Sequence, residues 1–317
     1  MLMMKQRNIP LLLILLIVAG CAEREQDTKD QQQIESITAT ITDFSDFYLD
    51  DAPATKTGLT PDEKFYWAAN DTLGIFPAEG SQVYFVVTDG SGTNSASFTG
   101  GGWGLKTGNT YYSYYPLVGQ FYLDKSRIPV SYEGQKQVGT TNLSHIGPFD
   151  FMYAPGIAPE SSALNFTYHH LNSYLRLTVT LPADEYIRLM ITTSENVLVK
   201  KGYFDLTAEQ PAIIPVEYTN QLSIDLEDVV LTDPGAVKVY MMLAPVNLNG
   251  KQVTVSVLNK EKKELQCVKT PSRAYAAGSI YGLTCPSSGD TWTEVPQTTS
   301  FSMKDWDNGD SLSGTAN

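Results

Sequence analysis

The stretch VKVYMMLAPVNLNGKQVTVSVLNK, residues 237–260, carries the clearest local signal in the chain. Apolar residues recur at every second position in both of its halves, namely at Val237, Val239, Met241 and Leu243, then at Val253, Val255 and Val257. A period of two places such residues on one face of a β-strand. The turn-forming residues Asn247-Leu248-Asn249-Gly250 lie between the halves, so the stretch predicts two strands joined as a β-hairpin.

The same alternation recurs along the rest of the chain. Apolar residues alternate with polar ones over 175–181 and 222–226, and the β-branched stretch Ile34–Thr42 predicts a first strand. Turn residues separate these segments, and no segment shows a convincing helical period. The pattern therefore predicts an all-β fold of sandwich class. Because Pro182 ends one of the alternating runs, we expect a domain boundary there, with domains at 34–182 and 183–317.

The charge of the chain limits its partners. The 317 residues carry a net charge of −13, and loss of Lys5 and Arg7 with the N-terminal segment would make it −15. An acidic chain without a dense Lys/Arg patch repels a phosphate backbone, so we expect no nucleic-acid binding.

The N-terminal residues have the features of an export signal. Lys5 and Arg7 precede an apolar run, 11–18, that is too short to span a membrane comfortably. The run ends in Ala19-Gly20-Cys21, which resembles the bacterial lipobox. That resemblance implies a signal peptide at 1–21, lipidation of Cys21 and an anchor in the outer membrane. An ordinary signal peptide with an incidental cysteine is the alternative. The polar residues 22–33 are expected to form a flexible tether.

Several motifs together resemble those of the Bacteroidetes fimbrillins, the pilins of the type V class. Their order and spacing carry the resemblance over most of residues 34–310. The motifs are ATKTGL at 54–59, FYW at 65–67, NDTLGIF at 70–76, YYSYYP at 111–116, LNFTYHH at 164–170 followed by Ser173 and Leu175, GSIYGL at 278–283, and the late Trp306. Asn70 departs from the pattern, because glycine is usual at its position.

The resemblance implies a fold and a mode of assembly. The expected fold is two transthyretin-like β-sandwich domains in tandem. In this family a protease removes the first strand, and a strand of the next subunit, often C-terminal, fills the groove. The removable strand would be Ile34–Thr42, with Ile34, Ile37, Ala39 and Ile41 as its apolar residues. The donor strand would lie near Phe301, Met303 and Trp306, in the polar, Gly/Ser-rich tail that follows residue 285.

The expected cleavage site departs from the family pattern. Stalk subunits are usually cut after arginine, but this chain has no arginine between Arg24 and Arg127. Lys56, just after the first strand, is the best-placed basic residue. The chain is therefore cut after Lys56, or it stays uncut as an anchor or tip subunit would.

No motif points to catalysis, a metal or a cofactor. The adjacent pair His169-His170 lies in a predicted strand, so the two rings face opposite sides and do not share a metal. We expect His170 to be a packed or hydrogen-bonded residue of the core. Cys267 and Cys285 form either one disulfide or two separate buried thiols.

The sequence thus favours a non-enzymatic, surface-exposed lipoprotein of fimbriae that acts in structure and adhesion. Its expected partners are other fimbrial subunits, joined by strand exchange, together with the outer membrane and host or bacterial surface glycans or proteins. A monomeric glycan-binding surface lipoprotein is the alternative.

Overall fold

A computed structural model describes residues 31–44, 46–49, 65–100, 104–119, 124–140, 143–286, 291–295, 300–304 and 311–315, of which 46–49, 300–304 and 311–315 are described by their backbone. The first strands are β1 (Ser36–Ile41), β2 (Asp46–Leu49), β3 (Thr72–Pro77), β4 (Val83–Asp89), β5 (Ser95–Gly100), β6 (Tyr111–Tyr115), β7 (Ile128–Ser131), β8 (Gln135–Val138), β9 (Met152–Ile157) and β10 (Ala163–His170). They are followed by β11 (Ser173–Leu181), β12 (Glu185–Thr193), β13 (Leu198–Phe204), β14 (Ile214–Thr219), β15 (Gln221–Val230), β16 (Gly235–Leu243), β17 (Val246–Asn247) and β18 (Val253–Asn259). The last are β19 (Glu264–Lys269), β20 (Ala274–Tyr275), β21 (Ser279–Cys285), β22 (Thr293–Glu294), β23 (Ser300–Lys304) and β24 (Ser311–Thr315).

Seven of the early strands form one closed sheet, in the order β1-β10-β9-β6-β3-β4-β5, with β5 returning to β1. Closure removes the free edges that an open sheet would present. The inner face holds its own apolar core, in which Trp67, Leu73, Ile75 and Tyr168 are fully buried.

The later strands build a second, larger core. A four-stranded sheet (β16-β11-β21-β2) and a six-stranded sheet (β22-β19-β18-β12-β15-β8) contribute their inward faces to one cluster of buried residues. A three-stranded sheet, β14-β13-β7, adds Ile128, Val130 and Phe204 to it. The two large sheets therefore pack face to face, as the layers of a sandwich do.

All-β architecture is confirmed, since the one helical element among the described residues is the short 3₁₀ turn Gly147–Phe149. The closed sheet of the first half differs from the open sandwich that the sequence predicts there. Within the part of the chain that the structure describes, no helix has the length and apolar character needed to cross a membrane.

The predicted hairpin at 237–260 is wrong, although both of its strands exist. β16 pairs with β11 in the four-stranded sheet, whereas β18 pairs with β12 and β19 in the six-stranded sheet. The connection over 244–252 is longer than a hairpin loop and contains the short strand β17, so the chain crosses from one layer to the other. The hairpin of this region is β18–β19 instead.

The strand pairing also shows that the closed sheet and the sheets of the larger core alternate along the chain. β11, which ends just before Pro182, pairs with β16 and β21 from the later part of the chain. β7 and β8 likewise pair with β13 and β15. No single point of the chain therefore separates the two sets of sheets, because β2, β7 and β8 precede β9 and β10. The boundary at Pro182 stays a prediction.

Two glutamine side chains on β8 seal the outer edge of β16. Gln135 accepts a hydrogen bond from Met242 N at 2.7 Å and donates one to Met242 O at 2.9 Å. Gln137 accepts from Tyr240 N at 3.0 Å and donates to Lys238 O at 2.9 Å. Both side chains are almost completely buried. Their amides take the place of a neighbouring strand, since an amide presents the same donor and acceptor as a peptide group.

We predict that Gln135→Leu lowers the free energy of unfolding by about 2–6 kcal/mol, because each of two buried backbone groups left without a partner costs about 1–3 kcal/mol. Urea unfolding monitored by circular dichroism measures the change. The matched control is Gln221→Leu, on an exposed site, which should stay within about 0.5 kcal/mol of the unmodified chain. Equal losses in the two variants would contradict the sealing role.

Candidate functional site: the first strand and its groove

β1 lies between two strands that are far from it in the sequence. It pairs in parallel with β10, with Ser36 opposite Ala163 and Ile41 opposite Tyr168. On its other side it pairs antiparallel with β5, with Ile37 opposite Phe98. β1 alone joins β5 to β10, so the closed sheet exists only while β1 is in place.

The two faces of β1 differ as the alternation predicts. Ile37, Ala39 and Ile41 are 5%, 0% and 4% exposed and belong to the core of the closed sheet. On the outer face, Thr38 Oγ1 donates to Asn165 Oδ1 at 2.5 Å, and the hydroxyls of Thr40 and Ser95 lie 3.0 Å apart. Full burial of an isoleucine side chain contributes about 1.5–3 kcal/mol, so two of them hold the strand firmly.

Trp67 fixes the middle of β1 from inside the core. Its Nε1 donates a hydrogen bond to Ala39 O at 2.9 Å, and the indole ring is fully buried. Phe98, Tyr115 and Tyr168 surround the ring in edge-to-face contacts, with centroids 5.1–5.4 Å away. The indole therefore recognises the main chain of β1, a contact that does not depend on which side chain the strand carries at that position.

A second main-chain contact holds the end of the strand. His170 Nε2 lies 2.9 Å from Thr42 O, and Nδ1 lies 2.8 Å from Asp150 Oδ1. A carbonyl oxygen can only accept, so Nε2 carries the hydrogen of this bond. His170 and Asp150 are both buried, and Asp150 orients the ring. The predicted role of His170 as a packed, hydrogen-bonded residue is confirmed.

Phe44 anchors the chain just beyond β1. Its ring stacks on His170 at 4.0 Å between centroids and packs on Phe65 at 4.6 Å and Tyr174 at 5.9 Å. It is 1% exposed and belongs to the larger core, whereas β1 belongs to the smaller one. The N-terminal segment therefore contributes to both cores in succession.

A cavity of about 640 Å³ adjoins this region, and we call it the junction cavity. Its walls include Ile41 of β1, Phe65, Trp67, Tyr115, Met152 and Tyr174. The lining is mainly apolar, as is usual for a binding pocket.

Two carboxyl groups also line the junction cavity, Asp71 and Asp150. Burial raises the pKa of Asp71 above its usual value, although hydrogen bonds from Ala68 N at 2.7 Å and the Tyr115 hydroxyl at 2.9 Å oppose the rise. Burial likewise raises the pKa of Tyr115, helped by the charge of Asp71. Both carboxylate oxygens of Asp71 accept hydrogen bonds, and Asp150 is hydrogen-bonded to His170. Both carboxyl groups therefore have structural partners within the fold. Among the described residues no cluster of three or more potential metal ligands occurs.

A family model described as fimbrillin-like matches residues 54–306, which is most of the chain. The chain belongs to the fimbrillin-like family. Membership supports a role as a fimbrial subunit or adhesion protein at the cell surface, in contact with other fimbrial subunits.

Two solved structures share the fold of this fimbrillin-like chain. One is a protein of Bacteroides uniformis, provisionally named a cell adhesion protein, with a TM-score of 0.52 and 15% identity over 85% of this chain and 98% of that one. The other, from Bacteroides ovatus and named likewise, has a TM-score of 0.51 and 15% identity over 84% and 97%. No curated protein matches the sequence.

The structure places some of the predicted site residues of this fimbrillin-like chain and omits others. Ile34 lies just before β1, half-buried against the same core as Ile37, Ala39 and Ile41. Cys267 and Cys285 are buried thiols on β19 and β21. Phe301 and Met303 lie on β23, which is described by its backbone alone. Cys21, Lys56 and Trp306 lie outside the described residues.

Sequence reasoning missed the residues that hold the first strand. The FYW motif that contains Trp67 does not indicate that its indole donates to Ala39 O, and no motif includes Phe44. The available signal for Phe44 was a large aromatic residue three positions after the last inward-facing residue of a predicted strand. No local signal links His170 to Thr42, which is 128 positions away.

We predict that Trp67→Phe weakens the hold on β1. The variant keeps an aromatic ring but leaves Ala39 O without its donor, which should lower the free energy of unfolding by about 1–3 kcal/mol. Urea unfolding gives the total, and hydrogen exchange should show faster exchange of the β1 amides. Tyr66→Phe, on the half-exposed neighbouring side chain, is the control with little expected effect. Unchanged exchange in β1 would contradict the assignment.

Proposed function

We propose that this chain is a fimbrial subunit that assembles by strand exchange, with β1 as the strand that leaves and a C-terminal strand of another subunit as its replacement. The proposal includes the tandem transthyretin-like domains, lipidation at Cys21, an outer-membrane anchor, adhesion to surface glycans or proteins, and a non-enzymatic role.

The observation that carries the proposal is the closure of the seven-stranded sheet by β1. Removal of β1 would expose the main-chain groups of β5 and β10 along a slot one strand wide. It would also uncover the core positions now filled by Ile37, Ala39 and Ile41. Such a slot offers main-chain hydrogen bonds for affinity and side-chain pockets for specificity, which is what β-strand addition requires.

The contacts that hold β1 also favour replacement over specific recognition of this one sequence. Trp67 and His170 both bind main-chain carbonyl groups, those of Ala39 and Thr42. A different strand of the same direction presents carbonyl groups at the same spacing, so both contacts can form again with a donor.

The candidate donor is available for exchange. β23 pairs with β24 alone, in a two-stranded sheet that is joined to no other sheet among the described residues. An isolated two-stranded hairpin is at best marginally stable in water. β23 therefore gives up little when it pairs with the slot of another subunit.

Lys56 is suitably placed for release of the first strand. It lies between β2, which ends at Leu49, and Phe65, where the described chain resumes. A cut there would separate β1 and β2 from the later strands without breaking any described element.

We predict that purified residues 22–317, treated briefly with a Lys-specific protease, are cut after Lys56 and form a ladder on an unheated denaturing gel that collapses on heating. N-terminal sequencing should read Thr57 onward, and intact mass should show that the chain still ends at Asn317. Lys56→Ala should abolish both the cut and the ladder, while Lys64→Ala, the matched control, should abolish neither. A correctly cut product that stays monomeric would refute assembly by strand exchange.

The same gel tests the alternative of a monomeric glycan-binding lipoprotein. An exposed aromatic platform would favour that function. The exposed aromatic residues among those described are Tyr66, Tyr84 and Tyr218, and they lie on separate elements of the fold. A protease-resistant monomer that binds glycans would favour the alternative.

A further inference from the structure

A six-residue pattern occurs twice in this chain, once at the resident strand and once at the candidate donor. The pattern is an apolar residue, any residue, a second apolar residue, any residue, aspartate and an aromatic residue. It reads ATITDF at 39–44 and FSMKDW at 301–306. Aspartate precedes an aromatic residue at two further places, Asp46-Phe47 and Asp150-Phe151, but Thr42 and Pro148 interrupt the apolar positions there. The full pattern is found nowhere else in the sequence.

At 39–44 the structure shows what the pattern does. Ala39 and Ile41 face the core of the closed sheet, while Thr40 faces outward. Asp43 is exposed, and the chain turns so that Phe44 reaches the second core. The two apolar residues, two positions apart, therefore lie on the inward face of the strand. The aromatic residue, three positions later, fills a separate anchor site in the second core.

From this match we propose that residues 301–306 of a second copy of the chain occupy the site of residues 39–44 in register. Phe301 takes the position of Ala39, Met303 that of Ile41, and Trp306 that of Phe44. Trp306 is then the anchor that fixes the register of the donor. This proposal rests on the proposed function, because it requires the slot to be vacated.

The direction of β1 supports this register. β1 runs parallel to β10. A donor that keeps this direction meets the positions in the order 39, 41, 44 and so presents Phe301, Met303 and Trp306 in matching order. A donor in the opposite direction over the same six positions would place Phe301 at the anchor site but would put Lys304 at the buried position of Ile41, where a charged side chain is costly.

The junction cavity supplies room for the larger donor residues. Phe301 is larger than Ala39, and Trp306 is larger than Phe44. Trp67, which touches Ala39, and Phe65 and Tyr174, which touch Phe44, all line the cavity. The cavity thus contacts the strand site directly at Ile41, and the residues around the other two positions form part of its wall. Met303 and Ile41 are similar in size.

The surroundings of the anchor site suit an indole ring. The ring of Phe44 stacks on His170, with Phe65 and Tyr174 around it. Large aromatic residues that enter such pockets are the usual energetic centres of an interface. A donor with tryptophan here would bury more apolar area than the resident phenylalanine.

The test uses two chains that each carry one inserted glycine in the β23–β24 connection. The insertion after Lys304 changes the spacing between Met303 and Trp306, while the insertion after Asn308 leaves it intact. Both lengthen the same connection by one residue. After cleavage at Lys56, the first should lose the heat-sensitive ladder by roughly tenfold or more, and the second should keep it. Trp306→Ala should behave like the first, and Trp306→Phe should retain the ladder, because phenylalanine is the resident residue.

Urea unfolding of the uncut variants should match the unmodified chain and thereby exclude a folding defect. If the unmodified chain forms no ladder, the proposed function fails. If all variants form the ladder equally, strand exchange stands and the register with its anchor is overturned.

A photo-crosslinker gives a direct readout. With benzoylphenylalanine in place of Trp306, irradiation of the ladder should join this position to residues 65–67 or 170–174 of the neighbouring copy. Crosslinks confined to other segments would overturn the anchor site even if the ladder forms.

Discussion

The closed sheet of this chain depends on one strand that comes from the N-terminal end of the sequence. Without β1 the main-chain groups of β5 and β10 face water, and the core around Trp67 loses the side chains that cover it. The hydrogen bonds and the apolar burial of this single strand thus decide whether the sheet has an edge. The closed sheet therefore depends on a segment that is joined to the other strands of the sheet by the chain between β2 and β3.

The other edges of the molecule are managed differently. On β16 the amides of Gln135 and Gln137 occupy the outward main-chain groups, and these side chains cannot leave without unfolding of β8. The opposite edge of the same sheet is covered by β2, which pairs in parallel with β21 and precedes Lys56 in the chain. The edges next to β1 and β2 are therefore covered by the N-terminal segment of the chain, while the β16 edge is covered by side chains of β8.

Much of the architecture follows from the alternation of apolar residues. The strands at 175–181, 222–226, 237–243 and 253–257 are all present, because burial of one face requires that period whichever sheet the strand joins. The pairing partners of those strands could not be predicted from the alternation. Alternation is the same in a hairpin and in a crossover between layers, so the pairing of β16 with β11 was not readable from residues 237–260. Gln135 and Gln137 look like surface residues in the sequence, because their burial depends on the edge of β16, which lies more than 100 positions later in the chain. The first strand could be predicted from its β-branched residues. The hydrogen bonds that Trp67 and His170 donate to its main chain could not, because only the closed sheet brings these residues together.

The slot that β1 fills between β5 and β10 has a consequence for any assembly built on it. A donor strand and a slot are different surfaces, so a contact in which one copy gives a strand and the other receives it is heterologous. Unless the exchange is reciprocal or the contacts close into a ring, they extend into a filament whose two ends differ. One end would present a vacant slot and the other an unused strand. A subunit that kept its first strand would have no vacant slot. It could give its C-terminal strand to the vacant slot at one end of the filament, but it could receive no further subunit, so growth at that end would stop.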